Sequence, residues 1–290
     1  MWRMRGRELM GAGVPTLGLG LGWRPELALL IERHRDLGFV EVLAEDFDAS
    51  GSLPAPIERL RDRGVTVIPH GVTLSLGGAE PLDRTWLKAL GRLATRLGAP
   101  VVSEHIAFVR AGGVEAGHLL PLPRTRAMLD LLVANVCLAQ DALPVPLALE
   151  NVATLVEWPH AEMDEASFIA EVLERTGALL LLDIANVHAN ARNHGWDPLA
   201  YLDRLPLDRL AYVHVAGGVE REGLYHDTHA HPIAPPVLDL LEELAVRTAL
   251  PGVLLERDDK FPPDAAVASE LNSIRSAVLR GDDRRKQGVA

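Results

Sequence analysis

Short apolar runs rich in Val, Ile and Leu recur along the chain at residues 16–19, 39–43, 65–69, 101–103, 147–149, 179–182, 210–213 and 253–255. Runs of that length with little alternation are what a parallel strand buried on both faces requires. Between them lie longer segments of helical period, at 25–37, 55–63, 82–97, 124–143, 164–176, 198–205, 235–247 and 264–279. Glycines at Leu37-Gly38, Leu97-Gly98 and Thr176-Gly177 suit left-handed helix ends, and Pro25, Pro198 and Pro235 suit first-turn positions. Eight such units, with no repeat and no Ser/Gly linker, predict an α/β fold: a single (β/α)8 TIM barrel over residues 1–279. Residues 280–290, charged and poor in apolar side chains, are expected to form a disordered tail.

Composition narrows the setting. The 290 residues are 48% hydrophobic, enough for one sizeable core, and a formal net charge of -11 argues against nucleic acid or an anionic bilayer as partner. Residues 1–11 carry arginines but no apolar signal-peptide run, and no stretch reaches the ~18 apolar residues of a membrane span, so the expectation is a cytoplasmic protein. The one cysteine, Cys137, lies in an apolar stretch and reads as a buried hydrophobe. Gly18-Leu19-Gly20-Leu21-Gly22 lacks the phosphate-binding spacing and reads as a tight turn before the first helix. There is no GxSxG nucleophile elbow.

Nearly every expected strand ends in a residue able to bind a metal or move a proton. These are Glu45 and Asp46, His70, Glu104 and His105, Glu150, Asp183, His214 and Glu256. In a barrel those ends converge on one mouth, where active sites of this fold sit. The stretch His226-Asp227-Thr228-His229-Ala230-His231 adds more candidates on a loop over that mouth. A lone histidine is usually an ordinary surface or core residue, and His34, His118, His160 and His194 are read that way. The strand-end set differs, because burying carboxylates and imidazoles together without a cation costs several kcal/mol in repulsion and desolvation. His70, His105, His214 and His229 with Glu150, Asp183, Asp227 and Glu256 exceed what one tetrahedral zinc takes, so two or three ions sharing carboxylates are expected. Imidazole and carboxylate without thiolate suit Fe, Zn, Mn or Ni.

These residues stand in recognisable motifs: His70-Gly71-Val72, Leu74-Ser75-Leu76-Gly77, Ser103-Glu104-His105 and Leu119-Leu120-Pro121-Leu122-Pro123. Leu149-Glu150-Asn151, Leu182-Asp183-Ile184, Asn193-His194-Gly195, Val213-His214-Val215-Ala216-Gly217 and Asp227-Thr228-His229 follow. Over residues 13–262 the chain resembles the DUF692 family, also called UPF0276, which includes the methanobactin-biosynthesis oxidase. The resemblance implies a TIM barrel with two or three Fe ions (Fe2+/Fe3+) that bind a cysteine thiolate and activate O2. Its substrate would be a cysteine-containing, ribosomally made precursor peptide, presented by a small partner protein. The implied metal ligands are His70, His105, Glu150, Asp183, Asn186, His214, Asp227, His229 and Glu256. Catalysis is expected to depend most on His70, Asp183 and Glu256, with His188, His231 and Glu45 as additional positions. The chain departs from the family at a ligand position, where Asn186 stands for a histidine, and at Glu45-Asp46-Phe47 and Val152-Ala153-Thr154, two stretches expected to line the substrate side. Loops after the fourth and seventh strands are expected to exclude water.

From the residues alone, a second class stays open: a metal-dependent hydrolase or isomerase of the xylose-isomerase or endonuclease IV kind, acting on a sugar or phosphate ester, with Zn or Mn. A metal-binding scaffold without turnover is a third.

Overall fold

The structure is a computed structural model that describes residues 15–48 and 51–288; the arginine-bearing start, residues 1–11, lies outside them. Its strands in chain order are β1 (Gly18–Gly22), β2 (Phe39–Leu43), β3 (Thr66–His70), β4 (Val102–His105), β5 (Phe108–Ala111) and β6 (Val114–Leu120). They continue as β7 (Leu147–Glu150), β8 (Leu179–Asp183), β9 (Leu210–Val215), β10 (Val219–Arg221), β11 (Leu224–His226) and β12 (Gly252–Leu255). Eight of them close a parallel barrel in the order β1-β12-β9-β8-β7-β4-β3-β2, and β2 pairs with β1. The other four make two antiparallel hairpins, β5 with β6 and β10 with β11, in the connections after β4 and β9. Helices between the barrel strands are α1 (Ala28–Arg33), α2 (Ala55–Asp62), α3 (Arg84–Leu97), α4 (Arg126–Ala142) and α5 (Glu165–Thr176). After β8 come α6 (Ile184–His194), α7 (Pro198–Leu202), α8 (Pro235–Arg247) and α9 (Asp264–Gly288).

The barrel interior explains where the chemistry lies. Side chains two apart on a strand share a face. Phe39, Ile68, Val101, Ala148, Leu181, Tyr212 and Leu254 form part of an apolar plug inside the barrel. Two residues further along the same strands stand Glu41, His70, Ser103, Glu150, Asp183, His214 and Glu256, all buried. The polar layer therefore sits directly above an apolar floor, at the ends of the parallel strands.

Several expectations change. The glycine-rich stretch is not a turn but β1 itself, and Gly20 is needed because an added Cβ would lie 2.4 Å from the Phe39 ring that fills the barrel. Gly38 ends no helix, since α1 stops at Arg33; it is there because a Cβ would fall 2.0 Å from the Leu17 carbonyl oxygen. Gly98 and Gly177 do close α3 and α5 in the left-handed conformation, at φ 62° and 71°. Cys137 is exposed: α4 buries Leu129, Leu132, Val136 and Ala139, and the helical period turns residue 137 outward. Residues 280–288 are not frayed but complete α9. Arg280 and Arg284 pair with Glu242 and Glu243 of α8, and Gly281 packs against that helix. Among the described residues no helix is long and apolar enough to cross a membrane.

Glu165, in the first turn of α5, accepts a hydrogen bond from the Tyr201 hydroxyl at 2.9 Å beside a small cavity lined by Ile106, Leu122, Val152 and Phe168. Burial pushes its carboxyl up to about 7, against the pull of Tyr201 and Arg124. A folded value above the unfolded one means that ionisation costs stability, absent below about pH 4 and complete above pH 7. Glu165→Gln is therefore expected to raise stability at pH 8 relative to its effect at pH 4.5, by on the order of 1 kcal/mol or about 2 °C in Tm. Thermal melts at the two pH values check this, and an equal effect at both contradicts it.

Candidate metal centre

Three groups of side chains meet at the barrel mouth, each with ligand atoms within 4.8 Å of one another: His70, His105 and Glu150; Glu150, Asp183, His214 and Glu256; and Asp183, Asp227 and His229. Glu150 belongs to the first two and Asp183 to the last two, so the groups form a continuous array. Glu150 Oε2 lies 3.5 Å from His70 Nε2 and 3.3 Å from His105 Nε2, while its Oε1 lies 3.1 Å from His214 Nδ1. His214 Nδ1 is also 3.2 Å from Glu256 Oε2, and His229 Nε2 is 2.5 Å from Asp227 Oδ2. A fourth group, His229, Glu256 and Asp258, sits at the more exposed edge.

Each imidazole is held from behind. His105 Nδ1 lies 3.2 Å from the Gly71 carbonyl, His70 Nδ1 2.8 Å from Ser103 Oγ, His214 Nε2 3.0 Å from Glu41 Oε2 and His229 Nδ1 3.0 Å from Asp258 Oδ2. His229 stands at φ 51°, a left-handed conformation that costs a non-glycine residue roughly 1 kcal/mol and is kept here by the hydrogen bond from the Asp258 N–H to its carbonyl. Arg24, buried after β1, donates to Asp258 and lies 3.6 Å from Glu256 Oε1.

The electrostatics are those of a cluster lacking positive charge. Burial pushes the Asp183 carboxyl up, and repulsion from Asp227 and Glu150 adds to it, to about 8. Burial opposes protonation of His105, yet Glu150 and Glu104 outweigh it and hold the imidazole at about 9. Burial likewise opposes charge on His214 and His229, but Glu41 and Glu150 around the first, and Asp227 and Glu256 around the second, raise both well above the usual range. Glu150 falls to about 2 because His214 and His105 overcome its burial. Four buried oxygens still find no hydrogen-bond partner: Glu150 Oε2, Asp183 Oδ2, Asn186 Oδ1 and Asp227 Oδ1. An unsatisfied buried acceptor costs about 1–3 kcal/mol, and these four stand among groups that could hold a metal ion.

The remaining expected positions separate. Asn186 opens α6, its amide N–H bonded to Asp183 Oδ1 and its side-chain NH2 to the Asn151 carbonyl, which leaves Oδ1 free. Asn190 and Asn193 continue the same face, tying α6 to Val152, Thr154 and Tyr225. His188 packs edge-on against the Tyr225 ring at 4.8 Å and joins no group. His231 bonds Thr228 and approaches Lys260 instead. Glu45 accepts from the Val72 and Thr73 N–H groups and the Thr73 hydroxyl, and so shapes the loop after β3. Glu104 points out of the barrel and caps the N–H groups of Leu74 and His105. Sequence reading missed Glu41, Arg24 and Asp258. Glu41 had a signal, a lone charge inside the apolar run Phe39-Val40-Glu41-Val42-Leu43.

A closed (β/α)8 barrel with buried imidazole and carboxylate groups at the strand ends has the form of a TIM-barrel enzyme with candidate metal-binding residues. The family described as RiPP precursor modification enzyme MbnB/TglH/ChrH matches residues 18–279, and the chain belongs to it. A UPF0276 protein of Streptomyces avermitilis is 54% identical over 276 residues, 93% of this chain, which spans 56% of that relative's length. A UPF0276 protein of Caulobacter vibrioides is 38% identical over 270 residues, 92% of this chain and 96% of its own. Among solved structures, an L-ribulose 3-epimerase superposes with a TM-score of 0.60 at 15% identity, covering 94% of this chain and 98% of that one. The 3-keto-D-glucoside 4-epimerase of E. coli does so with a TM-score of 0.60 at 11% identity, covering 91% and 99%. At such identities the likeness is one of fold.

Proposed function

We propose that the chain is an iron-dependent oxidoreductase that uses O2 to modify a cysteine in a ribosomally made precursor peptide, acting with a small partner protein that presents the peptide. The observation that carries a metal is the array of buried carboxylate and imidazole groups at one mouth, in which buried oxygens of Glu150, Asp183, Asn186 and Asp227 accept no hydrogen bond. The donor set of imidazole and carboxylate without thiolate fits iron, and also zinc or manganese. The family is one of RiPP precursor modification enzymes, and iron among these metals is what the motif resemblance implies.

His70, His105 and Glu150 would hold one ion, Glu150, Asp183, His214 and Glu256 a second, and Asp183, Asp227 and His229 a third with Asn186 beside it. What bound iron supplies is electron transfer between a peptide thiolate and O2. The chain's own residues do the positioning. Asp258 orients His229, Arg24 holds Asp258 beside Glu256, and the hairpins after β4 and β9 stand on the connections suited to excluding water.

The test is iron analysis with Mössbauer spectroscopy on protein purified anaerobically, followed by O2 uptake with a cysteine-containing precursor peptide and its Cys→Ser counterpart. Two or more irons per chain and uptake that requires the thiol are expected. One zinc or manganese without iron, and no thiol-dependent uptake, would overturn the proposal in favour of a hydrolase or isomerase.

A further inference from the structure

Beneath the mouth runs a buried line of hydrogen bonds that joins two of the candidate ligand imidazoles through three residues outside the ligand set. His70 Nδ1 lies 2.8 Å from Ser103 Oγ, which lies 2.7 Å from the Tyr212 hydroxyl; that hydroxyl lies 2.5 Å from Glu41 Oε2, and the same oxygen lies 3.0 Å from His214 Nε2. All five side chains are buried. They come from four barrel strands, β2, β3, β4 and β9, which hold them in fixed register.

Counting protons gives the line a direction. Glu41 as a carboxylate only accepts, so both the Tyr212 hydroxyl and His214 Nε2–H donate to it. Tyr212 has then used its one proton, and the Ser103 hydroxyl donates to the Tyr212 oxygen. Ser103 in turn has no proton left, so His70 donates from Nδ1. With both imidazoles neutral, as metal binding requires, the lone pairs that remain are on His70 Nε2 and His214 Nδ1, the two atoms nearest Glu150, at 3.5 and 3.1 Å. From this we infer that Glu41 is the positioning residue that fixes the tautomers of both imidazoles, His214 directly and His70 through Tyr212 and Ser103, so that both face the centre ready to bind metal. The inference rests on the metal-centre reading. Ligand imidazoles are commonly oriented by an acceptor on the other ring nitrogen; here one carboxylate serves two of them, in two adjacent groups.

The branching makes the inference testable. Zinc serves as a diamagnetic probe, and long-range 15N–1H NMR of histidine-labelled, zinc-loaded protein reports which ring nitrogen bears the proton. In the wild type, His70 is expected to carry it at Nδ1 and His214 at Nε2. Tyr212→Phe and Ser103→Ala, which leave the barrel packing nearly unchanged, should disturb His70 alone and weaken zinc at its group about 10- to 100-fold. Glu41→Leu should disturb both rings, and Glu41→Gln, whose amide oxygen still accepts, should restore both tautomers. Zinc uptake with His70 protonated at Nε2, or with Tyr212→Phe altering both rings or neither, overturns this inference alone. A wild type that takes up neither zinc nor iron overturns the metal-centre reading itself.

Discussion

Glu150→Ala is expected to strip metal from two groups at once, whereas Asp227→Ala strips it from one. Glu150 is the carboxylate common to the His70 and His214 groups, with one oxygen 3.5 and 3.3 Å from His70 and His105 and the other 3.1 Å from His214. Asp227 belongs only to the group at the outer edge with Asp183 and His229. Metal analysis of the two variants should therefore differ by about one ion per chain. Peptide oxidation should fall by at least about 10³-fold with Glu150→Ala, the equivalent of some 4 kcal/mol of lost charge stabilisation. The barrel should persist, because Leu147 and Leu149 on β7 keep their packing and the apolar floor below is untouched. Equal metal loss in the two variants, or a Glu150→Ala protein that keeps its full complement, would contradict the shared position.

Most strand positions and the residues at their ends are legible in the sequence because a parallel strand buried on both faces leaves an apolar run, and its polar end then stands out. His70, His105, Glu150, Asp183, His214 and Glu256 are visible for that reason. Glu41 is not, because it lies inside its run, and only the two-residue alternation from Phe39 shows that it faces the barrel interior. Helix α6 escapes for a related cause. Residues 184–190 are buried on every side, with Asn186, His188 and Asn190 set among Ile184, Ala185, Val187 and Ala189, so no single apolar stripe marks the helix. Cys137 misleads in the opposite way, as an apolar residue on the outward side of a helix whose other face supplies the core. The hairpins after β4 and β9 form small two-stranded sheets of their own, and residues 114–118 in β6 are exposed, so neither hairpin leaves the apolar runs that mark the barrel strands. The misses near the mouth share one origin: hydrophobic periodicity reports contact with an apolar core, and there the contacts are polar.

Protein stripped of metal should lose stability as pH rises from 6 to 9, and loading it with metal should release at least about two protons per chain at pH 7. The signs follow from each group. Asp183, at about 8 when folded against about 3.9 unfolded, favours folding while protonated, and that contribution fades as pH climbs toward 8. His105, at about 9 against about 6.5, contributes fully below pH 6.5 and loses its contribution as pH rises through 9. His214 and His229, raised well above their ordinary values, act in the same direction. Glu150, held at about 2, contributes above pH 4.5 and is lost only as pH falls toward 2, so it does not oppose the trend in this window. A bound ion takes the place of these protons on Asp183, His105, His214 and His229, so its affinity rises with pH and the Tm gap between loaded and stripped protein should widen from pH 6 to 9. Calorimetric titration in buffers of different ionisation heat counts the protons, and melts at the two pH values measure the gap. Binding that releases no proton, or a gap that narrows toward pH 9, would mean that the mouth is held together by its internal ion pairs and not organised for a metal.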